Sequence, residues 1–398
     1  MRSLFTLLGA FAVGVHGIAS IVGLDGAKVV ADSYIVVLKK SVDQIRLNSH
    51  LTWVEGKRGV NKTSTFDLGD GVKGYTAQGS KAVVAELAKS EEIAYIEADQ
   101  ILALPEQPRT PRRLTARVVQ TNAPWNLARI SHRQPGSTDY VYSQISGTYV
   151  YVLDTGVRVS HHNFEGRATN GFSAVGGSFT DVNGHGTHIA GIAASQTYGV
   201  ARTAGIVSVK IVGDDGSTTT SAVIAGINWA VRDVQAKSRV GKATALLAVG
   251  GGFSAALNSA VAAGSSAGLF FAVAAGGSNT NVSNSSPASE PSACTVGATT
   301  VNDARASSSN YGPLVDIWAP GQSIISLWNT LDTATNTLSG TSMAAAHIAG
   351  LGAYFLALEG PRGAVALCER LRQVATPNVL TGIPAGSPNL LAYNLSGL

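Results

Sequence analysis

Between residues 148 and 373 short apolar runs alternate with longer helical patterns, and this alternation narrows the possible folds more than any other feature of the chain. The runs 148–153, 207–212, 244–249, 269–274, 294–298 and 315–318 read as strands, and 186–195, 221–235, 256–267, 342–359 and 363–373 read as helices. Strands joined through helices pair in parallel, and a parallel sheet needs a covering layer on both faces. The predicted class is therefore α/β, a doubly wound, mostly parallel sheet. Functional groups in such a sheet belong at the carboxyl ends of its strands.

Three stretches put reactive side chains in such places. Leu-Ser-Gly-Thr-Ser-Met-Ala-Ala-Ala-His over 338–347 sets Ser342 after a Gly-Thr turn, at the start of a small-residue apolar helix. There, unpaired backbone N–H groups and the positive end of the helix dipole can stabilise an oxyanion. Taken alone, that serine is an ordinary helix cap. Val-Tyr-Val-Leu-Asp-Thr-Gly over 150–156 delivers Asp154 at a strand end, and Asn-Gly-His-Gly-Thr-His over 183–188 opens another helix with His185. Asp, His and Ser in this chain order form one of the known orders of a hydrolase triad. Ser342 would attack, His185 would take its proton, and Asp154 would orient the imidazole. Asp-Thr-Gly also occurs in aspartic proteases, but that chemistry needs a second such triplet, and the chain has none. No glutamate lies between His185 and His188, so a zinc-peptidase motif is absent and His188 reads as structural.

With these motifs, and with Thr-Asn-Ala-Pro-Trp over 121–125 and Ser-Pro-Ala-Ser-Glu-Pro over 286–291, the chain from Thr121 onward resembles the proteinase K branch of the subtilisin-like serine proteases. The resemblance implies that Asp154, His185 and Ser342 are the triad. It implies that Gly216, Ser217 and Thr218 on one side, and Ala248, Val249 and Gly250 on the other, clamp an extended substrate. Ala274, Ala275 and Gly276 would floor a first pocket that tolerates aliphatic and aromatic residues. There are also departures. Family members carry an asparagine where this chain has Gly277, so the oxyanion would rest on the Ser342 backbone N–H, without the side-chain amide that Gly277 lacks. Losing that donor costs about 2.7–4 kcal/mol, or 10²- to 10³-fold in rate, in a subtilisin. Asn279 or Ser278 reaching in its place is a hypothesis. Ile189 stands where the branch has a free cysteine beside the catalytic histidine, so thiol sensitivity is not expected.

The segment before the protease region reads differently. Residues 34–38 and 93–96 are predicted strands, and 43–55 and 81–90 predicted helices, in the order of a small α+β ferredoxin-like unit. Tyr-Ile-Val-Val-Leu-Lys-Lys over 34–40 and Ala-Tyr-Ile-Glu-Ala-Asp-Gln over 94–100 resemble the inhibitory prosegment of the same family. The expected organisation is a signal peptide over 1–19, an inhibitory prosegment of the I9 kind over 20–104, a processing linker over 105–117 and a peptidase domain over 118–398. A secreted zymogen follows, with its own prosegment as inhibitor and the mature protein starting near Val118.

The chain is 45% hydrophobic and 14% charged, with a net charge of +4 and no basic stripe interleaved with aromatics, so neither a nucleic-acid nor a membrane partner is expected. The reading is of a monomer acting on proteins and peptides. Cys294 and Cys368 are the two cysteines. In a secreted chain they most simply form one disulfide, as a matching pair does in proteinase K; two free thiols are the alternative. No organic cofactor is implied. The resemblance does imply a structural calcium held by the carbonyls of Pro291 and Ala293 and the carboxylate of Asp316, oxygen donors that suit a hard cation. A second, weaker site is not implied, because Arg133 and Val379 occupy its ligand positions. Asn61, Asn281, Asn284 and Asn394 head glycosylation sequons, with Pro287 close behind the third. The function expected is a broad-specificity serine endopeptidase, and fungal relatives of this branch digest structural proteins such as keratin, which gives a nutritional or virulence role. The alternative is a pseudoprotease that keeps the cleft to bind peptides.

Overall fold

The structure, a computed structural model, describes residues 18–23, 29–68, 72–103, 120–144 and 146–397. Most of the expected signal peptide, the processing linker and the cleavage point near Val118 lie outside the described residues. The first unit comprises β1 (Ser20–Val22), β2 (Val29–Leu38), α1 (Gln44–Glu55), β3 (Asn61–Asp67), β4 (Lys73–Gln78), α2 (Lys81–Leu87) and β5 (Ile93–Ala103). Its sheet runs β1-β5-β2-β4-β3, and β2 pairs antiparallel with both β4 and β5. Alternation along β2 divides its side chains cleanly. Tyr34, Val36 and Leu38 pack under the helices with Leu47, Val54, Val84 and Leu87. Ile35 and Val37 face the other way, into the core of the second unit.

That unit contains α3 (Trp125–Ser131), β6 (Tyr149–Asp154), β7 (Ala168–Ser173), α4 (His185–Ala194), β8 (Gly205–Lys210), β9 (Ser217–Thr219) and α5 (Thr220–Ala236). It continues with β10 (Ala243–Leu247), β11 (Gly251–Gly252), α6 (Ala255–Ser266), β12 (Phe270–Ala274), β13 (Ser285–Ser286), β14 (Cys294–Thr299) and β15 (Ile317–Pro320). It ends with β16 (Ile324–Leu327), β17 (Thr335–Leu338), α7 (Thr341–Glu359), α8 (Ala364–Val374), β18 (Thr376–Pro377) and β19 (Leu390–Leu391). The main sheet runs β18-β19-β15-β14-β12-β10-β6-β8-β7 and is parallel except where β18 meets β19. Both faces are covered, as the alternation predicts. Val150 and Val152 of β6 pack with α3, α4, α7 and α8, whereas Tyr151 and Leu153 pack with α5 and α6.

Helix α7 is the centre of the first of these layers. Every residue from Thr341 to Leu356 is buried, so its apolar surface goes all the way round. Gly350 explains how closely α4 lies against it: a Cβ there would meet the Ala193 carbonyl oxygen at 2.7 Å. Cys294 and Cys368 are bonded, joining the start of β14 to the middle of α8 across 74 residues.

The sequence missed some elements. Strand β7, Ala-Thr-Asn-Gly-Phe-Ser, is a half-exposed edge with no apolar run to betray it. Hairpin β16–β17 is similarly short, and α3 starts on the last residue of the 121–125 motif and runs on through residues assigned to no element from sequence. Strand β5 extends to Ala103, well past the predicted end at 96, because the polar residues that appeared to end it are buried against the second unit.

Candidate active site

Strand β6 ends on Asp154, which is fully buried. Its Oδ1 accepts the Thr155 N–H at 2.8 Å and lies 2.7 Å from His185 Nδ1, the first residue of α4. A carboxylate can only accept there, so Nδ1 carries a proton, and in the neutral ring Nε2 is the nitrogen with the lone pair. Nε2 is buried and has no hydrogen-bond partner among the described residues. That is the state a general base needs.

Helix α4 is held over Asp154 by a second carboxylate that the sequence reading passed over. Asp181 is buried; its Oδ1 accepts from Gly184 N at 2.7 Å and Thr155 Oγ1 at 2.8 Å, and its Oδ2 accepts from Thr187 N and Thr187 Oγ1. These bonds satisfy N–H groups in the first turn of α4 and tie it to the turn after β6. Gly186 allows the close approach, since a Cβ there would meet the Gly156 carbonyl oxygen at 2.1 Å. An aspartate four residues ahead of a helix-opening histidine was the available signal.

Ser342 is the second residue of α7, fully buried, with its Oγ donating to the Ala248 carbonyl at 3.4 Å. Thr341 Oγ1 accepts the Gly276 N–H at 3.0 Å, so the serine turn is fastened to the end of β12. Val249, Gly250, Ala274, Ala275, Gly276 and Gly277 line one pocket of about 450 Å³. No charged side chain lines it. Asn310, which the sequence did not flag, shapes the wall. Its Nδ2 donates to Ala275 O at 2.8 Å, and its Oδ1 accepts from the N–H groups of Ser278 and Thr280. Ser278 lines the pocket, but the Asn279 carboxamide oxygen accepts from Arg305 Nη1 at 2.9 Å, an exposed contact.

The other expected substrate strand is already paired. β5 runs antiparallel to β9, with Ala103 opposite Ser217, Leu102 opposite Thr218 and Ile101 opposite Thr219. Two buried carboxylates of β5 reach helix N-termini of the second unit. Glu97 Oε2 accepts from Ala256 N at 3.0 Å on α6, and Asp99 accepts from Ser221 N at 3.0 Å and Ser221 Oγ at 2.6 Å on α5. Burial pushes both carboxyls above their ordinary range. Each satisfies N–H groups that a helix start leaves open, and each meets the positive end of a dipole.

The remaining predicted positions are spread over the protein. Asp316 precedes β15, and its carboxylate lies within 4.8 Å of the Cys294–Cys368 sulfurs, which as a disulfide offer no thiolate to a metal. Asn61, Asn281 and Asn284 are exposed. Asn394 is not a glycan site in the folded chain: it is fully buried and its Nδ2 donates to Val141 O at 2.7 Å.

Two further histidines are structural. His188 Nε2 donates to the carbonyls of Ile324 and Asn336; His347 Nδ1 donates to Met343 O, while its Nε2 accepts from Asn126 Nδ2. Burial pushes His188 down to about 3 and His347 down to about 4. The unfolded chain takes up these protons near pH 6.5, so each histidine lowers stability progressively as pH falls below that value. The loss is about 1.4 kcal/mol per pH unit per histidine, and ends once the pH is below the folded value. We expect the urea midpoint of an inactive full-length variant to fall between pH 6.5 and 4.5, and His347→Gln to make that fall shallower. Equal slopes in both proteins would contradict this.

Comparisons with known proteins agree with this layout. Residues 146–373 match the Subtilase family, and residues 33–105 match Peptidase inhibitor I9. The chain is 43% identical to Alkaline protease 1 of Aspergillus clavatus over 385 residues, 92% of each chain. It is 45% identical to the subtilisin-like serine protease AsES of Sarocladium strictum, over 93% of this chain and 91% of that one. It is 42% identical to a cuticle-degrading protease of Metarhizium anisopliae, over 92% and 90%. Among solved structures, a cold adapted subtilisin-like serine proteinase superposes with a TM-score of 0.65 at 40% identity, covering 69% of this chain and 99% of that one.

Proposed function

This chain belongs to the subtilase family, and from that premise we propose that it is a secreted zymogen whose Asp154, His185 and Ser342 hydrolyse peptide bonds with broad specificity. It is a serine endopeptidase preceded by an inhibitor I9 prosegment. The observation that carries the catalytic reading is the 2.7 Å contact from Asp154 to His185 Nδ1, which leaves Nε2 with a free lone pair at the carboxyl end of the sheet.

In the proposed reaction His185 Nε2 removes the Ser342 proton as Oγ attacks the scissile carbonyl. Asp154 holds the tautomer and stabilises the imidazolium. His185 then hands the proton to the leaving amine, and water repeats the sequence on the acyl-enzyme. The Ser342 backbone N–H, at the start of α7, faces the developing oxyanion. Main-chain pairing along β9 and residues 248–250 accepts almost any extended peptide, and the uncharged pocket favours neutral side chains. The pairing of β5 with β9 supports inhibition by occupancy of that strand. The proposal places release outside the cell after cleavage near Val118, and the relative named for degrading cuticle supports structural proteins among the substrates.

The test is a fluorophosphonate probe applied to the secreted protein, with the N-terminus of the labelled species sequenced. Labelling on Ser342 with an N-terminus within a few residues of Val118 is the expected result. A folded, prosegment-free protein that takes up no probe would favour the peptide-binding pseudoprotease, which the comparisons do not support.

A further inference from the structure

We propose that Arg372 supplies, from within the chain, the positive charge that the resemblance assigns to a calcium ion at Asp316. The disulfide fixes α8 to β14 through Cys368, and Arg372 follows Cys368 by one helical turn, on the same face. Of the Asp316 carboxylate, Oδ2 accepts the Thr295 N–H at 2.8 Å, and Oδ1 lies 3.9 Å from Arg372 Nη1. The same Nη1 is 2.6 Å from Glu369 Oε1, so one guanidinium serves both neighbouring carboxylates. An arginine keeps its charge at any pH the fold survives. A divalent ion approaching Oδ1 would meet that fixed charge at short range, and the two carboxylates nearest to it, Asp316 and Glu369, are already paired with the guanidinium. Hard cations are held by several oxygens and net negative charge, and this donor set does not fit one.

A second arginine repeats the arrangement. Arg133 stands where the resemblance places a ligand of the family's weaker calcium site. Its guanidinium donates to Val374 O at 3.2 Å, Ala375 O at 3.3 Å and Thr376 Oγ1 at 3.4 Å. These carbonyls close the C-terminus of α8, the negative end of its dipole, where a cation is favoured. Two guanidiniums thus brace α8, and the stability of this chain does not draw on calcium.

The experiment uses the full chain carrying Ser342→Ala, so that self-digestion does not intrude. Thermal midpoints are measured with calcium in excess and with chelator, and calcium binding is followed by titration calorimetry. The parent should show the same midpoint in both conditions. Arg372→Gln, which keeps the stem and removes the charge, should melt lower in chelator and regain stability with calcium. Its calcium affinity should exceed the parent's by about tenfold or more. Adding Asp316→Asn should abolish that gain, while Arg372→Lys should stay indifferent to calcium. A parent that binds calcium and loses the binding with Asp316→Asn overturns the proposal. So does Arg372→Gln without any calcium response, whatever its midpoint. Neither readout depends on peptide cleavage, so this result stands apart from the test of the triad.

Discussion

Ser342→Ala is expected to lower kcat/KM on a chromogenic peptide by about 10⁴- to 10⁶-fold and to leave the chain uncut at full length. The upper figure is the loss seen when the nucleophile of a related subtilisin is removed; the lower allows for a parent already slowed at the oxyanion. The substitution removes one oxygen, whose contact in the resting protein is a long bond to Ala248 O. The buried helix that carries it is otherwise untouched, so the variant should fold and keep its prosegment on β9. An alanine variant that still hydrolyses peptides at a rate near the parent's would take Ser342 out of the reaction. One that misfolds is recognised by its melting profile, and Ser342→Cys then provides the alternative, retaining volume while changing the attacking atom.

Gly277→Asn is expected to raise kcat by about 10²- to 10³-fold with little change in KM. A side-chain amide at this position would meet charge that exists only as the carbonyl becomes tetrahedral, so its gain belongs to the transition state. The surroundings are ready to hold it. Gly276 is fastened to Thr341, Asn310 binds the wall on both sides of Gly277, and Gly277 already lines the pocket. The Asn279 carboxamide oxygen is held by Arg305 and the Asn310 amide donates to Ala275 O, so neither side chain is turned to that work. Gly277→Ala is the control, which should not gain. An asparagine variant no faster than the parent would mean that another donor already serves the oxyanion, and the native chain would then be an unimpaired protease.

The expected fold was legible, and the three proposed triad positions stand out, because both depend on short-range signals. Apolar runs of strand length, helix patterns between them, and glycines and small residues packed around Asp154, His185 and Ser342 are local features of the sequence. What stayed hidden depends on partners distant in the chain. Glu97 and Asp99 look like residues that end a strand, and become intelligible only when the N-termini of α5 and α6 stand opposite them. Asn310 acts through backbone groups, which no side-chain pattern encodes. Asn394 satisfies the sequon rule and fails it in space, because the last segment tucks its side chain under residues 131–141. The Cys294–Cys368 pair was an arithmetic expectation, and Arg372 beside it became meaningful only through the position of Asp316.

The disulfide bears on how such a protein would age among active copies of itself. Cys294 and Cys368 stand 74 positions apart, and the interval between them includes the hairpin β16–β17 and all of α7, with Ser342. A single nick anywhere in that interval leaves both fragments covalently joined, and the buried α7 still anchored by packing. Damage to the loops around the nucleophile would therefore leave the molecule intact until the bond is reduced. On a gel it would run as one band without reductant and as two with it, a hidden scission that catalysis could outlast.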